Sequence, residues 1–188
     1  HHLLAVINAG MFEPDRTATF ELRGPGGVNN PTRSAKAGSF LVFDPVAAGA
    51  APIRLLDRGC DDIDAVGPTY RALVQGFRLL TCDGRVTWTD GPRIWSHAVL
   101  GIDGQGRPLL IHVRSPYNTA VMTRILQDLP LDLKRLMYLE GGPEATLALD
   151  VGGRRDLWVG SYETGFHEAD DNTVAWPLPN VLGVVRSP

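Results

Sequence analysis

The chain has 188 residues, 44% hydrophobic and 21% charged, with a formal net charge of -3. That is the composition of one ordinary globular domain with its own core, at roughly 100–200 residues per domain. The charge balance excludes an electrostatic grip on nucleic acid or anionic membranes, and no apolar run approaches the ~20 residues that span a bilayer as a helix.

Gly 21 and Pro 14 against 7% aromatics predict many turns and short strands. His1-His2 stand directly before an apolar segment, as in a fragment or trimmed chain, and are native or the remnant of a tag. "LLAVINAGMF" (Leu3 to Phe12) is a short apolar run ending in an Asn/Gly turn, which predicts a buried strand. The next 26 residues, "EPDRTATFELRGPGGVNNPTRSAKAG", predict a surface excursion with one short strand around Thr19 to Leu22. "SFLVFD" (Ser39 to Asp44) and "IRLLD" predict strands flanking a loop of small residues. Ala72 to Leu80 fits a short helix or a strand, and Asp83-Gly84 marks a hairpin.

"HAVLGIDGQGRPLLIHV" predicts a second hairpin: strand Ala98 to Ile102, turn Asp103 to Gly106, strand Pro108 to Val113. After it, Asn118 or Thr119 can cap a helix on which Val121, Ile125, Leu126 and Leu129 recur at helical spacing, and Pro130 stops it. "KRLMYLEGG" predicts a strand and a tight turn; "EATLALDVGG" is a further strand broken by a Gly pair, and "LPNVLGVV" closes the chain. The fold class is α+β: a mixed, mostly antiparallel sheet core with a few helices in a single domain.

Four clusters can carry chemistry. Glu140-Gly141-Gly142 sets an acid at a strand end before two residues without side chains. Glycines let backbone N–H groups approach a ligand, although a plain β-turn with an exposed acid fits equally well. Asn8, followed by Ala9-Gly10, can bind a ligand or cap its own turn. In "PRIWSHAVLG", Arg93 can fork onto a phosphate and His97 can exchange a proton; Ser96 and His97 point to opposite faces of a strand, so adjacency makes no nucleophile–base pair. Glu163, Glu168, Asp170 and Asp171 around His167 lack EF-hand spacing and fit a solvated loop better than a cation site.

Two cysteines, Cys60 and Cys82, are compatible with one disulfide and equally with two free thiols. No Cys/His cluster has zinc-site spacing, so no metal or cofactor is expected.

The order of "INAGMF", "LVQGFRLLTCDGRV", "HAVLGIDGQGRPLLIHV", a capped helix, "LMYLEGGPEATLAL" and "LPNVLGVV" resembles the phosphodiester glycosidase family, which includes many bacterial envelope proteins. The resemblance covers residues 3–188 and begins inside the family pattern, which implies a leading segment before Leu3. It places Glu140 where the family keeps an active-site aspartate, and His97 where the family keeps an arginine, with Arg93 four residues earlier as a substitute cation. It matches Asn8 and Gln75 to polar residues of the first two motifs. It implies hydrolysis at the glycosidic bond of a sugar-1-phosphate diester. Catalysis falls to Glu140, His97 and Arg93. Substrate binding falls to Asn8, Gly10, Gln75, Ser96, Gly141, Gly142 and Glu144. The implied partner is a carbohydrate or sugar-phosphate substrate, and the implied location is outside the cell or in its envelope. The two departures keep a second class in play, a glycan or phosphoglycan binder without turnover. A covalent role for Ser96 or His97 in another hydrolase is a third reading.

Overall fold

A computed structural model describes residues 3–186 of the chain. Its strands form three sheets, and every strand pairing given for them is antiparallel. The first holds β1 (Leu3–Asn8), β10 (Thr146–Val151), β11 (Arg154–Val159) and β12 (Val181–Val185), in the order β11-β10-β1-β12. The second holds β2 (Leu22–Gly24), β3 (Gly27–Asn30), β4 (Ser39–Pro45), β5 (Ile53–Asp57) and β6 (Tyr70–Gly76), in the order β3-β2-β6-β4-β5. The third is β7 (Trp95–Asp103) between β8 (Pro108–Tyr117) and β9 (Leu133–Gly141). Two helices, α1 (Ile63–Val66) and α2 (Thr119–Asp128), complete the regular structure together with short 3-10 turns.

The three sheets share one core, so the chain is one domain. Ile7, Leu41, Val74, Leu100, Met137, Leu139 and Leu147 come from all three and pack into one cluster. Leu41 faces that core, while its neighbours Phe40 and Val42 face a second cluster with Ile63 of α1. This accounts for the unbroken apolar run in β4: a strand buried on both faces has no polar face to alternate.

Asn118 caps α2 by accepting from Ala120 N at 2.9 Å. The buried face of α2 differs from the expected one. Thr119, Ala120, Met122, Thr123 and Leu126 face inward, whereas Ile125 and Leu129 are 41% and 44% exposed. The "polar excursion" of residues 13–38 also contains more structure than expected, since β2 and β3 form a hairpin whose turn uses Gly27 at φ +111. Residues 72–80 resolve as strand up to Gly76, and the Asp83-Gly84 turn forms, closed by a Thr81 N to Arg85 O bond of 2.8 Å. Cys60 and Cys82 form a disulfide across 22 residues. His1-His2 lie outside the described residues.

Candidate functional site

The site is assembled where β9 ends. β9 pairs with β7 so that Gly141 faces His97 and Glu140 faces Ala98, with a register shift between Ala98 and Val99. Such a bulge re-aims the side chain at a strand end. Beyond it a 3-10 turn, Gly142–Glu144, carries the chain into β10.

Both glycines are required here by space. A Cβ on Gly141 would collide with the Tyr138 hydroxyl, and one on Gly142, at φ +63, would collide with the Glu163 carboxylate. Three carboxyl groups therefore surround this turn. Glu140 comes from β9, Glu144 from the 3-10 turn, and Glu163 from the tail after β11. The sequence marked Glu163 only as part of a solvated acidic loop; nothing local to it signals a site.

Glu140 keeps a partly accessible side chain, but its carboxyl is surrounded by protein. Burial, reinforced by the neighbouring charges of Glu144 and Glu163, pushes it up to about 8, against one stabilising bond from Gly141 N at 3.1 Å. Glu144 is raised by burial and by Glu163, and Glu163 is raised by burial, with Arg93 opposing. Three clustered acids with so little positive charge nearby cannot all ionise cheaply, and the most enclosed of them holds its proton. The Tyr138 hydroxyl beside them is driven well above 10 by burial and then by Glu140.

Arg93 is the cation at the mouth. It is 65% exposed, with Nη2 3.9 Å from Glu163 Oε1, and its guanidinium lies 5.9 Å from the Trp95 ring centroid. His97 lies behind the site and is fully buried. Its Nε2 is 3.1 Å from Thr119 Oγ1, and its Nδ1 has no partner among the described residues. Burial, and then the neighbouring His112, lowers it to about 3, so His97 is neutral at physiological pH.

The polar residues singled out in the sequence hold the charged ones in place. Asn8 donates to Glu144 O at 3.0 Å and accepts from Thr146 N at 2.8 Å, pinning the segment that carries Glu144. Ser96 donates to Arg114 O at 2.5 Å and accepts from Ser161 N at 2.9 Å, pinning the segment that carries Glu163. Its side chain and that of His97 serve opposite sides of β7, as strand alternation requires. Gln75 is bonded to Ser34 N, Ser34 O and Ala37 O at 2.9, 2.6 and 2.8 Å, and so fixes residues 34–37. Gly10, at φ +97, turns the chain beside Val74 and the Gln75 carbonyl.

Three further supports gave no sequence signal. Asn172 donates to Gly160 O at 2.7 Å and to Pro143 O at 3.4 Å. Arg114 donates to Val159 O and Asn172 O, both at 3.0 Å. At Gly160 a Cβ would collide with the Gly142 carbonyl, so the tail and the turn lie in direct contact. Among the described residues, the one group with metal-ligand spacing is Asp57, Cys60 and Cys82, whose two sulfurs are joined in the disulfide. No helix among the described residues is long and apolar enough to cross a membrane.

A bulged strand end, two glycines and converging carboxyl groups define a carboxyl-based site on an antiparallel scaffold. The family model described as NAGPA, phosphodiester glycosidase, matches residues 1–185, and the chain belongs to that family. The solved catalytic domain of zebrafish N-acetylglucosamine-1-phosphodiester alpha-N-acetylglucosaminidase, auto-inhibited by its pro-peptide, is similar in fold, with a TM-score of 0.57 and 18% identity. The match covers 96% of this chain and 61% of that one, so this chain spans about three fifths of its structural relative. No curated protein matches.

Proposed function

We propose that this protein hydrolyses the glycosidic bond of a sugar-1-phosphate diester, with Glu140 as proton donor. The observation that carries this reading is the convergence of Glu140, Glu144 and Glu163 on the Gly141-Gly142 turn. Glycoside hydrolysis uses two carboxyl groups in different protonation states around an oxocarbenium-like transition state. Glu140, raised to about 8, is a neutral acid at pH 7. Glu144 and Glu163 are also raised, with Arg93 drawing Glu163 toward its ionised form.

In the reaction, the C1–O bond breaks and its electron pair leaves with the phosphate monoester. Glu140 donates a proton to the departing oxygen. Water adds its hydroxyl to C1, and its proton passes to an ionised carboxylate, Glu144 or Glu163. Arg93 offsets the phosphate charge, with its guanidinium near the Trp95 ring. His97, buried and neutral, supplies no charge and instead packs among Trp95, Tyr138 and Thr119. Asn8, Gln75 and Ser96 act at one remove, by holding the segments that carry charge. The Cys60–Cys82 disulfide supports an oxidising compartment, and hence an exported or envelope location.

The test is hydrolysis of a panel of sugar-1-phosphodiesters by the wild-type protein and by Glu140→Gln. Release of free sugar by the wild type, cut about 10²–10⁴-fold in the variant, is the expected result for loss of a general acid. Equal rates would remove Glu140 from the mechanism. No release by the wild type, but saturable binding of a sugar phosphate, would select the non-hydrolytic glycan binder.

A further inference from the structure

A cleft of about 580 Å³ has Trp88 in its wall. Trp88 is common to both regions: its ring centroid lies 5.7 Å from Tyr138 and 6.3 Å from Trp95, and it also lines the cleft. The cleft wall carries Lys36, Arg58 and Arg78 and no acid, on a chain whose net charge is -3. Among the described residues, the carboxylate paired with a cation of this wall is Asp57, 2% exposed beneath Arg78 at 2.7 Å. Among the described residues, Lys36 and Arg58 have no carboxylate partner.

This wall is built in advance of any ligand. Residues 34–37 are held by the Gln75 side chain from within and by Arg58, which donates to Ser34 O and Ala35 O at 2.8 and 2.9 Å. Glycine on both flanks gives Arg78 its place. A Cβ on Gly59 would lie 3.0 Å from Arg78 Nη1, and one on Gly38 would lie 3.6 Å from Arg78 Nε. The disulfide ties the Gly59 loop to the hairpin that leads to Trp88. The guanidinium groups of Arg58 and Arg78, held before binding, lose little entropy when an anion arrives.

We propose that this cleft is a subsite for a second phosphoryl group, so that the preferred substrate is a polymer of sugar phosphodiesters rather than a single one. The placement of that subsite on the substrate rests on the glycosidase reading above. The anion site itself rests on the cleft alone. A phosphoryl group fits because it offers several oxygens to forked guanidinium donors and an ammonium at once. Phe77 and Trp88 in the same wall give an intervening sugar an apolar face to lie on.

The test uses uncleavable phosphonate analogues and calorimetry on the full chain. One ligand carries a single phosphonate at C1. The second adds a phosphodiester one sugar further along. The third replaces that group with a uronic acid carboxylate. The second ligand is expected to bind about tenfold more tightly than the first, and Lys36→Glu with Arg58→Gln to erase the gain. Lys134→Glu, whose ammonium pairs with Asp132 away from the cleft, is expected to preserve it. Equal affinity for the first two ligands, or a gain that survives the double variant, would overturn the proposal. A third ligand binding as well as the second would overturn the phosphoryl assignment.

Arg58 also braces residues 34–37, so Lys36→Ala, an exposed change, is measured alongside and is expected to lose part of the gain; no loss would count against the subsite. Inorganic tripolyphosphate separates the two readings. If it shifts the Trp88 indole resonance while no sugar phosphodiester is hydrolysed, the anion site stands and the glycosidase reading falls. If hydrolysis is observed but tripolyphosphate leaves Trp88 unmoved, the cleft proposal falls and the glycosidase reading stands.

Discussion

The carboxyl turn and the basic cleft hold charge in opposite ways. On one side, Glu140, Glu144 and Glu163 are crowded and enclosed, with Arg93 opposing the shift of Glu163 and His167 that of Glu144, and their protonation shifts as a result. On the other, Lys36 and Arg58 are solvent-facing, and the backbone beneath them is tied down by Gln75 and by Arg58 itself. Burying an ionisable group without a counter-charge changes its chemistry, whereas fixing an exposed one changes its binding geometry. The first arrangement suits proton transfer and the second suits recognition.

The sharpest way to break this contrast is to disturb the carboxyl side sterically. Gly142→Ala must adopt a left-handed backbone and displace Glu163. The expected loss is about 10²-fold in kcat, with roughly 1–3 kcal/mol of stability. Turnover and chemical denaturation of the same preparation check both. An unchanged kcat would show that the position of Glu163 does not matter.

A second effect follows pH on the carboxyl side alone. The folded state keeps a proton on Glu140 up to about pH 8, whereas the unfolded chain releases it near 4.5. Stability therefore falls as pH rises through that window. His97 acts in the opposite sense. It is lowered from 6.5 to about 3 by burial, so its contribution is present above pH 6.5 and is lost as pH falls toward 3. The two slopes oppose each other between pH 4.5 and 6.5. Above pH 6.5 the Glu140 contribution continues to fall, in the same sense as those of the raised Glu144 and Glu163, and about 2 kcal/mol from Glu140 should disappear by pH 8. Denaturant titrations at pH 6.5 and 8 measure this, and Glu140→Gln should flatten the difference.

Asn8→Ala tests the supports. It removes the bonds that hold Glu144 O and Thr146 N, the latter buried. A cost of about 1–3 kcal/mol is expected, with a fall in kcat larger than any rise in KM. A fall in stability with kcat unchanged would confine Asn8 to the fold. The smallest effect belongs to the basic side: Lys36→Ala should move stability by under about 0.5 kcal/mol while weakening tripolyphosphate binding several-fold.

Much of the scaffold was legible because its signals are local. The runs that become β1, β4 and β7–β9 end in Asn, Gly or Asp turns, and Asn118 caps α2 as its residue type predicts. The β2–β3 hairpin is not legible because its turn, "GPGG", reads as loop when the flanking strands are only three and four residues long. The inward face of α2 departs from the helical-spacing expectation because Thr119 and Thr123 are buried in place of Ile125 and Leu129; Thr119 meets His97, and Thr123 bonds Thr119 O at 2.7 Å.

The site was half legible. Glu140 and its glycines stand out in one short motif. Glu163 does not, because its segment is held by Ser161 N donating to Ser96 Oγ and by Asn172 donating to Gly160 O, across separations of 65 and 12 residues. The sequence assigns Asn8, Ser96 and Gln75 to substrate binding. Their bonds run to backbone, which no spacing in the sequence reveals. The cysteine pairing was equally undecidable there, since two residues 22 apart give no geometry until the Gly59 loop and the 81–87 hairpin are side by side.

The most direct test of the account is the titration of the Glu140 carboxyl itself. Carbon-13 carboxyl spectra of the wild type, with the Glu140 signal assigned by its loss in Glu140→Gln, follow that one group from pH 4 to 10. A midpoint near 8 is the predicted result, and it would establish a neutral acid beside ionisable partners at working pH. A midpoint near the ordinary 4.5 would contradict the account, because Glu140 would then be a solvated carboxylate with no proton to give.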